Sequence, residues 1–217
     1  MALDLNRFAN VRPYLYHLTS RRNIVHIKRD MFLKSANTLI AESGETGLFR
    51  TVRRGHKALA IGDRQVELRD QDPLRAGNIF FSNGWALADL VSHLNDRVFF
   101  WPGWDYGPID SGKNHYARYA RENPVILRVS TRKLLAANPG AEALFCHYNS
   151  GAPRCICKTR KGSPRGPDTF LPACSFEFGL SGVREVTFKS QVSLPDSTEA
   201  SPSPFGPWKF LENLRYE

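Results

Sequence analysis

Hydrophobic and polar positions alternate from Tyr14 to Thr19, with Tyr14, Tyr16 and Leu18 on one side and Leu15, His17 and Thr19 on the other. That two-residue period predicts a half-buried strand. Ser20 stands where it can cap a following helix, and Ile24, Ile27 and Met31 form one helical stripe. Residues 42–57 read as loop, and Gln65–Arg69 as a short strand. Ile79-Phe80-Phe81 predicts another strand, followed by a helix from Trp85 to His93. Arg97-Val98-Phe99-Phe100-Trp101 is the strongest strand signal in the chain, and Pro102-Gly103 is expected to stop it. Asn114–Glu122 reads as helix, Pro124–Ser130 as strand, Thr131–Ala137 as a short helix ended by Asn138-Pro139-Gly140, and Leu144–Tyr148 as strand. Thr169–Phe178 is expected to be strand, and Val183–Leu194 one long strand. The stretch 195–207 is Ser/Pro-rich, which predicts an extended or disordered tail up to Trp208.

Short strands mixed with short helices, without regular βαβ alternation, predict an α+β fold. The expected organisation is one domain over residues 1–194 and a tail over 195–217 that ends in an aromatic segment. No GxxxxGK[ST] or GxGxxG loop is present, which argues against a P-loop or dinucleotide-binding Rossmann site.

Composition narrows the partners. A formal charge of +9 favours an anionic partner, whether nucleic acid, a phosphorylated ligand or an acidic surface. No apolar run approaches the roughly 20 residues of a membrane span, and the first residues lack a signal-peptide core, so a soluble, cytoplasmic protein is expected. Cys155 and Cys157 are too close for the usual zinc-ligand pair and no second pair follows. With Cys146 and Cys174 they read as reduced thiols. A Cys/His zinc site using His147 is the lesser alternative, and no metal is expected.

Polar groups within apolar strands need a partner or a use. His17 in the opening strand and Glu185 in the run Val183-Arg184-Glu185-Val186-Thr187-Phe188 are two such groups, and both are expected to grip one small ligand. The plain alternatives are a core histidine satisfied by its neighbours and a glutamate paired with Arg184 on a solvated face.

The segments His17-Leu18-Thr19, Asn23-Ile24, Ile27 and Met31-Phe32-Leu33-Lys34-Ser35-Ala36 resemble the opening of the ADP-ribosyltransferase fold in its DarT-like branch. Val98-Phe99-Phe100-Trp101 is similar to that branch's central aromatic strand, and Val183-Arg184-Glu185-Val186 to the late strand that carries its catalytic glutamate. These anchors span residues 14–194. The resemblance implies split mixed sheets with short flanking helices around a central cleft, NAD as co-substrate, and transfer of ADP-ribose to a nucleophile. It implies Glu185 as catalytic carboxylate, His17 and Thr19 as ribose-side groups, and Asn23 at the adenosine end or capping the turn. Phe99 or Trp101 would stack on nicotinamide. The branch's second aromatic is open among Phe99, Phe100, Trp101 and Tyr106. Its active-site arginine is assigned to Arg97, with Arg53 as the second choice.

The acceptor is expected from charge. Residues 152–166 carry Arg154, Lys158, Arg160, Lys161 and Arg165 with no acid, and Arg50, Arg53, Arg54 and Lys57 extend the basic track. Such a track suits a phosphate backbone, and exposed Trp104, Tyr106 or Tyr116 suit stacking of unpaired bases. The bland alternative is a solvated loop. The leading expectation is therefore a nucleic-acid-modifying transferase acting on single-stranded RNA or DNA, in a toxin–antitoxin or phage-defence setting with an antitoxin partner. Three alternatives stand beside it: the same fold acting on a protein or small molecule, a non-catalytic nucleic-acid-binding module, and a tRNA 2′-phosphotransferase, whose arginine pattern is absent.

Overall fold

The opening strand Tyr14–Thr19 lies near the middle of the main sheet because it is apolar on both faces, and its two neighbours differ in how far they follow it. The computed structural model describes residues 2–155 and 161–214. The main sheet has nine strands among the described residues, and all its pairings are antiparallel. From one edge they run Leu171–Pro172, Leu144–Cys146, Glu185–Lys189, Arg97–Trp104, Tyr14–Thr19, Val125–Ser130, Glu199–Ser201 and Lys209–Phe210, with Gly107–Pro108 folded back on Arg97–Trp104. With its short helices this is an α+β fold, as the mixed pattern of the sequence predicted. Among the described residues, the small sheets include one parallel pair, Ser163–Arg165 with Ile79–Phe81.

The opening strand is registered with Val125–Ser130 over its whole length, from Tyr14↔Ser130 to Thr19↔Val125. Against Arg97–Trp104 it is registered only from Tyr14↔Gly103 to Tyr16↔Trp101. The two strands therefore fork beyond Tyr16. The sheet's one face packs Leu15, Phe100, Leu127, Val186 and Phe188 into the largest core, while Tyr16, Leu18, Trp101 and Ile126 pack on the other.

Several predicted elements need correction. Pro102-Gly103 does not end the central strand, which continues to Trp104. Gly103 makes this possible, because a Cβ there would sit 2.4 Å from the Gly107 carbonyl oxygen and 2.8 Å from the Tyr16 ring. Val183–Leu194 is not one strand. Ser190 adopts φ 57° and the chain leaves the main sheet, so that Gln191–Ser193 pairs with Phe32–Lys34. Ser190 is held there by bonds to Asp96 and Ser35 of neighbouring segments. Within Thr169–Phe178 only Leu171–Pro172 is strand, since Pro172 cannot donate to a ladder. The helix expected at Asn114–Glu122 begins at Asp110. Lys57–Ile61, of which only Lys57 fell in the expected loop, forms a hairpin with Arg64–Leu68, turning through Gly62 at φ 61°.

The Ser/Pro-rich tail is part of the sheet. Ala200 faces Leu127 in register, and Thr198, Ala200 and Leu211 are at most 1% exposed. No helix among the described residues is long and apolar enough to cross a membrane. Leu211→Ala is expected to lower unfolding stability in urea by roughly 2–5 kcal/mol, as for other buried leucines. An unchanged urea midpoint would mean that the tail is not docked.

Candidate functional site

The fork between the opening and central strands leads into a cavity of about 910 Å³, at the upper end of the range typical of small-molecule sites. Its walls are the fork, the hairpin 57–68, the helix Asp110–Tyr119 and the segment 147–154.

His17 sits in the fork. Its Nδ1 lies 2.8 Å from the Phe99 carbonyl oxygen. Burial lowers its pKa to about 4; the Phe99 bond opposes that shift and the Arg69 cation adds to it. The ring is thus neutral at physiological pH. Because a carbonyl only accepts, Nδ1 carries the hydrogen, and Nε2 is left as an acceptor for a ligand donor.

Around His17 the wall is closely organised. Asn23 donates to the Glu67 carbonyl (2.9 Å) and accepts from the Glu67 N–H (2.8 Å), which ties the first helical turn to the hairpin. Its remaining contact is a 3.4 Å bond to Thr19 Oγ1. Asn23 thus braces the hairpin while lining the cavity, and its side chain makes no capping bond to the following helix. Tyr119 donates to Asp70, and Arg69 lies 4.4 Å over the Tyr119 ring while pairing with Glu122 at 3.0 Å. His115 packs on Trp101 at 4.5 Å, and burial first, then Arg69, lowers its pKa to about 3. Phe99 and Trp101 both line the cavity, as expected of ring-stacking walls.

Glu185 begins the closing strand, opposite Cys146, and is only 2% exposed. It is not on a solvated face, which removes the reading of an ordinary surface pair with Arg184. Oε1 accepts the Ser150 backbone N–H at 3.1 Å. Oε2 has no partner among the described residues, and neither does Ser150 Oγ. Burial raises the pKa of Glu185 to about 7, a shift restrained by Ser150 and the Arg165 cation. A buried carboxylate with one bare oxygen is costly, and such groups concentrate at functional sites.

Arg165 is what holds this corner together. It donates to the carbonyls of Asn149 (3.0 Å), Ser150 (3.3 Å) and Pro164 (2.7 Å), and stacks 4.4 Å from the Tyr148 ring. Arg165 is 2% exposed, so it is not part of an exposed basic track but fixes the turn that presents Ser150 to Glu185. Arg53 is likewise corrected. It is 6% exposed and donates to the Arg69 carbonyl and to Asn95 Oδ1, both at 2.9 Å. Those bonds use Nε and Nη1, and the side chain lines the cavity.

Arg97, expected to be the active-site arginine, also lines the cavity but is anchored to the His93 carbonyl at 2.8 Å and stacked on Phe170 at 4.5 Å. Of the remaining expected acceptor residues, Arg154 and Lys161 are exposed, and Arg54 is exposed with Asp72 at 3.9 Å. Lys158, Arg160 and Cys157 lie outside the described residues.

His17 and Glu185 thus line one cavity, though not as a contact pair: Arg69 acts on the first and Arg165 on the second. Ser150, His115, Tyr119 and Arg69 were not foreseen from the sequence. Ser150 carries no signal at all there, because its role is a backbone N–H.

Residues 13–197 match a family of unknown function (DUF7002), and the chain belongs to that family. No curated protein and no solved structure matches it.

The raised pKa of Glu185 has a stability consequence. The folded state binds the proton more tightly than the unfolded one, so the native chain loses stability as pH rises from about 4.5 to about 7. Glu185→Gln, which stays neutral, is therefore expected to be more stable than the native chain at pH 8, by on the order of 2–3 kcal/mol. The gap should close near pH 4. Parallel melts at the two pH values check it, and a gap independent of pH would place the carboxylate in water.

Proposed function

We propose that this member of the family is an ADP-ribosyltransferase that cleaves NAD and passes ADP-ribose to nucleic acid. One observation carries the reading: a buried glutamate with an unpartnered oxygen lines the same large cavity as a neutral histidine whose free nitrogen can only accept. The pairing of these two groups at the start and end of the sequence is what the DarT-like resemblance implies.

The chemistry follows from the groups. The bond between nicotinamide and the ribose C1′ breaks with its electron pair leaving on the nicotinamide nitrogen, which becomes neutral. The C1′ centre gains oxocarbenium character, as in glycoside cleavage. Glu185, ionised, opposes that positive charge from a dry position where electrostatics are strong. An acceptor nitrogen or oxygen then supplies the electron pair to C1′, and its proton passes to Glu185. His17 Nε2 accepts from a ribose hydroxyl and Thr19 closes the same wall. Arg53 and Arg97 offer cations to the diphosphate; burial lowers the pKa of each only to about 10, so both stay charged.

The fold is then the split-sheet form of the transferases, with the fork as its cleft. The acceptor is single-stranded RNA or DNA because an extruded base is cheapest to reach there. Modification of nucleic acid in the cell's own cytoplasm is toxic, which suits a toxin–antitoxin or antiviral role.

Labelled NAD incubated separately with RNA, single-stranded DNA and protein should mark a nucleic acid. Glu185→Gln is expected to lower transfer by about 10²–10³-fold; an unchanged rate would remove Glu185 from catalysis. In kcat/KM the native enzyme should show an acidic limb near pH 7, with activity rising as Glu185 ionises. A flat profile would contradict its role as carboxylate. His17→Ala is expected to raise KM for NAD roughly three- to tenfold with kcat less affected, the scale of one hydrogen bond. An equal loss confined to kcat would move His17 from binding to the chemical step.

A further inference from the structure

At the end of the central strand, level with the start of the closing strand that carries Glu185, stands an aromatic and arginine ladder that the cavity does not use. Arg12 lies 4.1 Å over the Trp104 ring. Trp104 and Tyr106 are stacked at 5.3 Å with only 7° between their planes. Tyr106 is 62% exposed. The sheet register sets this ladder near the glutamate: Val186 faces Phe100 on the central strand, four residues before Trp104, and the closing strand runs back from there through Glu185 to Arg184. Arg184 is exposed, and its charge acts on Arg12, so the two cations are near neighbours.

A second ladder close by shows what a purely structural version looks like. Arg128 lies between Tyr14 (4.6 Å) and Trp208 (4.4 Å), but it is also paired with Glu199 at 2.6 Å. Its charge is neutralised and its rings are packed inward. Arg12 differs in its charge and in its outer ring: Trp104 packs inward as Tyr14 and Trp208 do, but Tyr106 is open. It has no acidic partner among the described residues, its Nη1 donates only to the adjacent Val11 carbonyl at 3.3 Å, its Nε is buried without a hydrogen bond, and its ladder ends in an open ring. A cation without an acid beside an exposed aromatic face matches a ligand that carries both anionic groups and flat rings.

We propose that Arg12, Trp104, Tyr106 and Arg184 form a docking track for single-stranded nucleic acid, with an unpaired base stacked on Tyr106 and phosphates at Arg12 and Arg184. Stacking of this kind is tolerant of sequence and worth enough per base to localise a strand. A duplex does not present a free base face, so the track favours single strands. As the acceptor's path to Glu185 the track rests on the transferase reading; as a binding surface it does not require it.

The test is binding of short fluorescein-labelled thymidylate and uridylate oligomers to the full chain, followed by anisotropy over a salt series, without NAD. The native chain should bind single strands more tightly than the matching duplex. Tyr106→Ala should weaken binding about tenfold, while Tyr106→Phe, which keeps the ring, stays within about twofold. Arg12→Gln should weaken binding and lower the salt slope by about one. Tyr106 is exposed, so neither change at it disturbs a core.

Failure to bind any oligomer, or binding untouched by Tyr106→Ala and Arg12→Gln, overturns the proposal. So does competition by polyglutamate that equals the oligomers and shares the Tyr106 dependence, which would assign the surface to an acidic protein. Cleavage of NAD by the native chain, measured separately, bears only on the cavity, so failure of either reading is recognisable by itself.

Discussion

The opening strand stays paired with Val125–Ser130 to its end but leaves the central strand after Tyr16. An antiparallel pair that stops in mid-sheet exposes backbone groups that must find other partners. His17 meets that need directly: its Nδ1–H satisfies the Phe99 carbonyl, which the parted strand no longer reaches. The same bond fixes the ring's tautomer and its orientation. One side chain therefore stabilises the fork and, because the fork is open, presents an acceptor nitrogen to the cavity. Gly103, opposite Tyr14 just before the strands part, leaves room for the return strand's Gly107 carbonyl on one hand and the Tyr16 ring on the other.

The other side of the cavity is built on a different balance. Glu185 is kept from water and receives one backbone N–H, so its charge is underprovided. Arg165 lies close enough to restrain its pKa, yet its donors go to carbonyls of Asn149, Ser150 and Pro164 and not to the carboxylate. A bidentate Arg–carboxylate pair would hold the pKa low and tie up both oxygens. The arrangement found leaves Oε2 bare and the pKa near neutrality. That is a poor device for stability and a suitable one for a group that must change charge or meet a ligand.

Where local pattern decides, the sequence was a good guide. Thr131–Ala137 forms the predicted helix, closed by Asn138 on the Leu134 carbonyl, and Tyr14–Thr19 the predicted strand, because such stops and alternation act over a few positions. His17 and Glu185 were legible as polar groups in apolar strands. What could not be read depends on contacts between distant segments. Pro102 looks like a strand breaker, but the strand passes through it because Gly103 allows close packing against the return strand. Ser190 splits the last strand through bonds to Asp96 and Ser35, far away in the chain. The Ser/Pro composition of residues 195–207 predicts a loose tail, while its buried anchors are one small residue, Ala200, within that stretch and Leu211 beyond it.

Arginine is the residue type for which composition misled most, and the reason is physical. A charge count treats each guanidinium as surface, yet Arg53, Arg97 and Arg165 are all buried, so three cations counted in the formal +9 do not face bulk solvent. Burial is tolerable because each has several donors in a rigid fork and finds at least one carbonyl to receive one of them, even Arg97, whose Nε has no partner among the described residues. The basic run at 152–166 accordingly divides, with Arg165 a brace and Arg154 and Lys161 on the exterior. The same distinction separates Arg128, matched by Glu199, from Arg12, which has no such match among the described residues. For this chain, then, the informative property of a cation is not its place in a basic cluster. It is which of its donors the carbonyls and carboxylates of the protein leave open, because those are the donors a phosphate can meet.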